Sequence, residues 1–372
     1  MSTASALRQS QPSTTQRPAP YAIDATSLGW LVVGASAVAD QWSVAAIRHQ
    51  PPQSASQSVN SWITGIHSHH AGRGQQFAFK HHIPRSSDDL AELLYRDAVR
   101  CVYVANHPRH HVEAVRAALL AGKHVLCEPP LALSIEDAHL LDELAQRSHL
   151  LLGVNFSHRC DPVLAELKQR LESDEIGEVI GGRILNAPLL EIRQRTWRLQ
   201  PEIGGALLHR TLFDIDLIHY LFENTVDAIH AQSHTRVHTK DLDEEIQAVV
   251  RLKRNKLVLS LYDSFLLPHA DSMLELFGAN GSARVAHCLS PHLPADLTVF
   301  SQKSLRPAAD KPPEEGPRST PVVRFVNAFT SFNQAVRTGS QPAATVHDFI
   351  AALRVIEGAR RSLQKSEWTL IE

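Results

Sequence analysis

The chain has 372 residues, 20% of them charged, with a formal net charge of -2; it is too long for one ordinary core, suits two domains, and lacks the clustered basic footprint that nucleic acid binding needs. Its four cysteines, Cys101, Cys127, Cys160 and Cys288, stand far apart without CxxC spacing, which argues against structural zinc or a disulfide framework and fits a reducing cytoplasm. No stretch approaches the ~20 apolar residues of a membrane span, and the N-terminus lacks the basic start and apolar core of a secretory signal.

Residues 1–26, rich in Ser, Thr, Gln and Pro, carry no apolar period and are expected to be a disordered tail. Leu28 to Val33 reads as a strand that breaks at Gly34, and Val38 to His49 has helix-like spacing. A polar segment, Pro51 to Gln57, precedes a second strand around Trp62, Ile63 and Ile66, ending near Ser68. After a helix-permissive stretch come a helix at Leu90 to Tyr95 and a third strand at Cys101 to Ala105. His111 to Ala121 is a helix stopped by Gly122, Val125 to Cys127 a strand, Ser134 to Ser148 a helix with acids in its first turn, and Leu150 to Phe156 a strand. This alternation predicts a doubly wound parallel sheet over residues 27–156, a Rossmann-type domain.

Beyond residue 157 the pattern changes. Helices are expected at Val163 to Glu172 and Ala206 to Phe222, with a strand at Val179 to Leu185 between them. Glu245 to Leu252 and Leu257 to Asp263 flank Asn255-Lys256 as a hairpin, and Met273 to Phe277 and Ala283 to His287 flank Asn280-Gly281. Residues 302–320 read as a loop, and Val322 to Leu363 as two closing helices. Residues 157–372 are thus expected to form an α+β substrate and oligomerisation domain with a largely antiparallel sheet. An open face of that sheet suits a dimer or tetramer.

The turn after the first strand, Gly34-Ala35-Ser36-Ala37-Val38-Ala39, is GxGxxA-like with serine at the second glycine. A helix N-terminus there offers free N–H groups and partial positive charge to a diphosphate. The end of the second strand carries Ser68, His69 and His70, with Arg73 beyond and no acid to accept from ribose hydroxyls. That absence favours NADP over NAD. A plain strand-to-helix turn with a solvated polar loop is the alternative.

With this turn, the Val102-Tyr103-Val104-Ala105-Asn106-His107-Pro108-Arg109-His110-His111 segment and the run AGKHVLCEPPLAL from Ala121 to Leu133, the chain resembles the Gfo/Idh/MocA oxidoreductases, the family of glucose-fructose oxidoreductase and inositol dehydrogenase. Gly204-Gly205-Ala206-Leu207-Leu208 after Trp197-Arg198, and AVRTGSQPAATVHD before a last helix, extend the resemblance toward the C-terminus. The resemblance implies a dinucleotide cleft bordered by Gly34, Ser36, Ala39, Ser68, His69, Asn106, His107, His111 and Glu128. His111 stands at the histidine of TPNxxH, as a structural or cofactor-edge contact. The family's EKP lysine is replaced by Pro129. Aligned on Gly204-Gly205, its GGGxxxDxGxHxxD motif has His209 at the first aspartate, Thr211 at the glycine, Phe213 at the histidine and Asp216 at the last aspartate.

Hydride transfer between alcohol and carbonyl also moves a proton, so a substitute acid or base is needed. Residues 209, 213 and 216 share a face of an ordinary helix, which makes His209 the candidate catalytic base and Asp216 its orienting partner. Local capping or pairing is the other reading. Arg159 and Arg198, at positions that border the substrate in relatives, suit a carboxylate or phosphate on the ligand, and Phe213 makes the cavity more apolar. The 22 histidines cluster near the cleft without Cys, Asp or Glu ligands, and no metal is expected. Three functions follow: an NAD(P)-dependent oxidoreductase of a small molecule with atypical acid-base residues, a catalytically inactive dinucleotide-binding sensor, or a non-redox lyase or isomerase in the same cleft.

Overall fold

The computed structural model describes residues 28–49, 61–237, 241–290, 292–301 and 314–371; the expected tail at 1–26, the segment Pro51 to Gln57 and most of the expected loop at 302–320 lie outside them. The first six strands are β1 (Leu28–Val33), β2 (Ser61–His67), β3 (Ser86–Ser87), β4 (Cys101–Val104), β5 (His124–Cys127) and β6 (Leu152–Val154). All pair in parallel, in the order β3-β2-β1-β4-β5-β6. Every residue of β1 is buried, as a strand covered on both faces requires. The order reverses between β1 and β4, which places a switch point at the carboxyl ends of these two strands.

The crossovers are α1 (Val44–Arg48), α2 (Ala71–Lys80), α3 (Leu90–Leu94), α4 (His111–Leu120) and α5 (Ile135–Arg147). A π-helical stretch, Ala39–Ser43, precedes α1. Their ends follow local chemistry. Asp89 accepts from the N–H groups of Ala91 and Glu92, Ser134 accepts from that of Asp137, and Gly122 takes φ +73° after α4.

The second half contains α6 (Pro162–Glu172), β7 (Val179–Asn186), a π-helical stretch at Leu207–Thr211 running into α7 (Leu212–Phe222), then β8 (Val226–His234), β9 (Glu245–Leu252), β10 (Val258–Ser264), β11 (Ser272–Gly278), β12 (Gly281–Ala286), β13 (Ala295–Ser301) and β14 (Glu314–Ser319). Helices α8 (Pro321–Thr338) and α9 (Val346–Lys365) and a short β15 (Thr369–Leu370) close the chain. One nine-stranded sheet results, β14-β13-β12-β11-β7-β10-β9-β8-β15, antiparallel except where β7 and β10 run parallel. The last part of the expected loop is therefore corrected: residues 314–319 pair with β13 as a strand. Among the described residues no helix is long and apolar enough to cross a membrane.

Helix α8 does not stay with the second sheet. Its Phe329 and Phe332 pack on Trp30 of β1, with ring centroids 5.2 and 5.6 Å apart, and Asn333 accepts from the Trp30 indole N–H at 3.2 Å. These three aromatic side chains are among the largest fully buried ones. The N-terminal sheet is thus covered on one face by a helix that arrives near the end of the chain.

Candidate active site

The candidate residues of the N-terminal half meet at the carboxyl ends of its strands. Gly34 has φ +110°, and a Cβ there would lie 2.5 Å from the backbone N and Cα of Asn106; only glycine fits between β1 and β4. Its N–H donates to the His67 carbonyl at 2.9 Å, joining the ends of β1 and β2. Ser36 is half-buried and its hydroxyl lies 3.4 Å from the Ala39 N–H, ready to be redirected to a ligand. Ala39 is completely buried, so its part is close packing of helix on sheet.

At the end of β2 the two expected contacts separate. Ser68 is buried and its hydroxyl donates to the His70 carbonyl at 3.2 Å, so it faces its own turn and not a ribose. His69 is exposed, and its ring lies 5.0 Å from that of His67 and 4.8 Å from that of His110. No acid occurs from His67 to Arg73.

The ends of β4 and β5 carry the remaining set. Asn106 and His107 are half-buried, and the Oδ1 atom of Asn106 is covered without a hydrogen-bond partner among the described residues. Such an orphan beside Gly34 suits a ligand that donates. The surroundings of His111, expected as a structural or cofactor-edge contact, fit the structural role. The residue is buried, with Nδ1 2.8 Å from the Pro130 carbonyl and Nε2 3.1 Å from that of Asn106. Burial lowers its pKa to about 4, so the ring is neutral and donates to one of these two carbonyls, packed between the loops after β4 and β5.

Glu128 is the centre of a hydrogen-bonded chain. Ser43 donates to the Tyr103 hydroxyl at 2.7 Å, Tyr103 donates to Glu128 Oε1 at 2.6 Å, and Asn155 Nδ2 donates to the same oxygen at 2.5 Å. Burial raises the Glu128 pKa to about 7, against the opposing hydrogen bonds of Tyr103 and Asn155. A carboxyl poised there exchanges protons near neutral pH. Pro129 next to it brings no charge.

Asp216 does not orient His209. The stretch Leu207–Thr211 is π-helical, and its wider turn shifts the phase that an unbroken α-helix would keep from 209 to 216. Asp216 is fully buried, accepts from Arg159 Nε and Nη2 at 2.9 and 2.7 Å, and lies 2.8 Å from His158 Nε2. Although burial pushes its pKa up, His158 and Arg159 hold it below the usual carboxylate range. The remaining Arg159 nitrogen is 3.1 Å from Asp348. The guanidinium expected to meet a ligand is instead an internal clamp between α7, α9 and the loop before α6. Phe213 packs against Phe156 and His158, at 5.6 and 6.2 Å.

His209 has a different environment. Its ring is 4.3 Å from Trp197 and 6.3 Å from Phe265, its Nε2 is covered and unpartnered, and burial, reinforced by the charges of Arg198 and Arg210, keeps it neutral. Trp197 also lies 5.8 Å from His107, bringing the loop after β4 against the second half of the chain.

Sequence reasoning missed Ser43, Tyr103, Asn155, Trp197 and Arg210. It also missed a buried acid pair. Asp214 accepts from Asn186 at 2.8 Å and Asp263 accepts from Thr211, while one oxygen of each carboxyl is covered without a hydrogen-bond partner among the described residues. Burial raises both pKa values, Asp214 well above the ordinary range and Asp263 to about 6. An acid inside the apolar run LFDIDLI was the available signal. Among the described residues no cluster of His, Cys, Asp and Glu could hold a metal.

Residues 28–156 match the family model of the oxidoreductase family with NAD-binding Rossmann fold, and residues 164–284 match the GFO/IDH/MocA C-terminal domain. A 1,5-anhydro-D-fructose reductase of Ensifer adhaerens is 27% identical over 327 residues, covering 87% of this chain and 92% of its own. Myo-inositol 2-dehydrogenase of Thermotoga maritima is 25% identical over 313 residues, covering 78% and 85%. Levoglucosan dehydrogenase, solved with NADH and levoglucosan, shares the fold at TM-score 0.80 and 19% identity, over 93% of this chain and 99% of that one. The two models in tandem, on the architecture described above, make this chain a member of the Gfo/Idh/MocA oxidoreductase family, with its nicotinamide-dinucleotide-binding Rossmann domain at the N-terminus.

Proposed function

We propose that the chain is an NAD(P)-dependent oxidoreductase of a small molecule whose proton-handling groups differ from those usual in its family. The observation that carries the reading is the convergence of Gly34, Ser36, Asn106 and Glu128 on the switch point of the parallel sheet. Gly34 and the amides after it would hold the diphosphate, with the Ser36 hydroxyl beside them. His69 and Arg73, without an acid, favour NADP over NAD. Asn106, His107 and Glu128 would border the nicotinamide, which when bound gives or takes the hydride.

Glu128 holds or releases a proton at its carboxyl, with Tyr103 and Ser43 behind it as donors. His209, kept neutral, is the second proton-handling group, and Arg198 and Phe213 border the substrate. A polarised C=C or C=N bond, which needs less proton assistance than an alcohol, suits this equipment.

Fluorescence titration with NADPH and NADH tests the reading, followed by absorbance assays with carbonyl, imine and enoyl compounds. NADPH is expected to bind more tightly than NADH, and His209→Ala to lower turnover about 10²–10⁴-fold. Failure of both dinucleotides to bind removes the reading. Binding without turnover supports instead a sensor, which the replacements at Pro129 and Phe213 favour. Cytoplasmic location suits the unpaired cysteines, and self-association through the open face of the nine-stranded sheet completes the proposal.

A further inference from the structure

Arg198, Arg210 and His209 gather around two aromatic rings, and no acid acts on Arg198. The Arg198 guanidinium lies 4.6 Å from the Trp197 ring, which touches His209; that of Arg210 lies 5.6 Å from Phe265, which touches His209 from another side. All three basic residues are half-buried, so each keeps part of its surface open. With the described residues Arg198 makes no ion pair and no side-chain hydrogen bond. Arg210 donates through Nη2 to the Pro188 carbonyl at 3.1 Å, while its Nε, like Nε2 of His209, is covered and unpartnered.

The nearest acids do not complete the set. Asp263, Asp214 and Asp271 act on Arg210 but not on Arg198; Asp214 accepts from Asn186 and Asp263 from Thr211, and Asp216 is committed to Arg159 and His158. Burial lowers the pKa of Arg198 and Arg210 to about 10; the charge of Arg210 adds to the effect on Arg198, whereas Asp263, Asp214 and Asp271 oppose it at Arg210. A cation such as Arg198, withdrawn from water near a second one and without an acid of its own, is unfavourable unless an anion joins it. Guanidinium groups bind planar or tetrahedral oxyanions through paired N–H donors.

We propose that the small molecule taken by this cleft carries an oxyanion, a carboxylate or a phosphate, received by Arg198 and Arg210 beside the neutral imidazole of His209. The placement within a substrate cleft rests on the oxidoreductase reading, but the binding itself does not need the dinucleotide. Phe265 and Trp197 frame the group with apolar surface, which strengthens the charge-assisted hydrogen bonds by excluding water.

The test is thermal unfolding of the whole protein, without nicotinamide, titrated with sodium malonate, inorganic phosphate or sodium chloride at matched ionic strength. A saturable rise in Tm is expected with malonate or phosphate, the better of the two naming the group, and none with chloride. Arg198→Gln breaks no hydrogen bond or ion pair within the described protein and gives up only the contact with the Trp197 ring. It is expected to keep the starting Tm and to weaken the oxyanion at least tenfold, and Arg198→Lys to restore only part of the affinity because the planar fork is lost. An equal response to chloride overturns the proposal, as does an oxyanion response that Arg198→Gln leaves unchanged, the result expected of phosphate bound at the Gly34 turn. NADPH fluorescence separates the two failures. NADPH binding without an Arg198-dependent oxyanion response removes this inference alone, whereas that response without NADPH binding leaves an anion site and removes the oxidoreductase reading.

Discussion

Glu128 shows how one residue links stability to pH. Its folded pKa, about 7, lies above the ordinary 4.5, so the fold retains a proton that the unfolded chain releases. The stability tied to the neutral carboxyl is therefore full below about pH 4.5 and is lost as the pH rises through about 7. Glu128→Gln keeps an acceptor for Tyr103 but cannot ionise; denaturant unfolding is expected to show the wild-type decline over this range and a flatter profile in the variant. If Glu128 handles the proton, the limb of the kcat/KM profile near pH 7 disappears with it. Arg159 and Asp216 make a different point. Arg159→Ala would leave Asp216 buried with His158 alone, and a loss of about 3–5 kcal/mol in urea unfolding is expected. The sequence placed both residues near the cleft by resemblance, yet their pairing spans 57 positions, and no local pattern reveals which carboxylate will consume which guanidinium.

At the level of elements, legibility followed the range of the interactions. β1, β2, β4 and α4 to α6 were readable because apolar period, caps and Gly122 are local signals. β8, β13 and β14 were not assigned, since their alternation is set by neighbours distant in sequence. The π-helical stretch at Leu207–Thr211 was invisible too, because its sequence reads as ordinary helix, and the displacement of His209 from Asp216 followed from it. The turn at Gly34 was legible and is sensitive. Gly34→Ala combines a positive φ, worth about 1–3 kcal/mol, with a clash against the Asn106 backbone. NADPH affinity is expected to fall with stability in that variant, measured by fluorescence and by Tm.

For the whole molecule, the nine-stranded sheet leaves a broad face uncovered in the single chain. Leu185, Tyr262 and Met273 lie side by side there in register, with exposed Phe277 and Phe300 toward one edge and Val258 nearby. An apolar surface of this kind is characteristic of a subunit contact. Sedimentation is expected to give an oligomer, and Met273→Asp to shift it toward the monomer. A monomeric wild-type protein at micromolar concentration would refute this.

Helix α8 links the beginning of the chain to its end. Phe329→Ala is expected to cost about 3–5 kcal/mol, read in chemical denaturation, although the residue lies some three hundred positions from the strand it covers. During synthesis, Trp30 of β1 emerges from the ribosome long before its partners do. Nascent chains arrested ahead of Pro321 should therefore leave this tryptophan open to chaperones and proteases, and acquire protection only once residue 333 has cleared the exit tunnel.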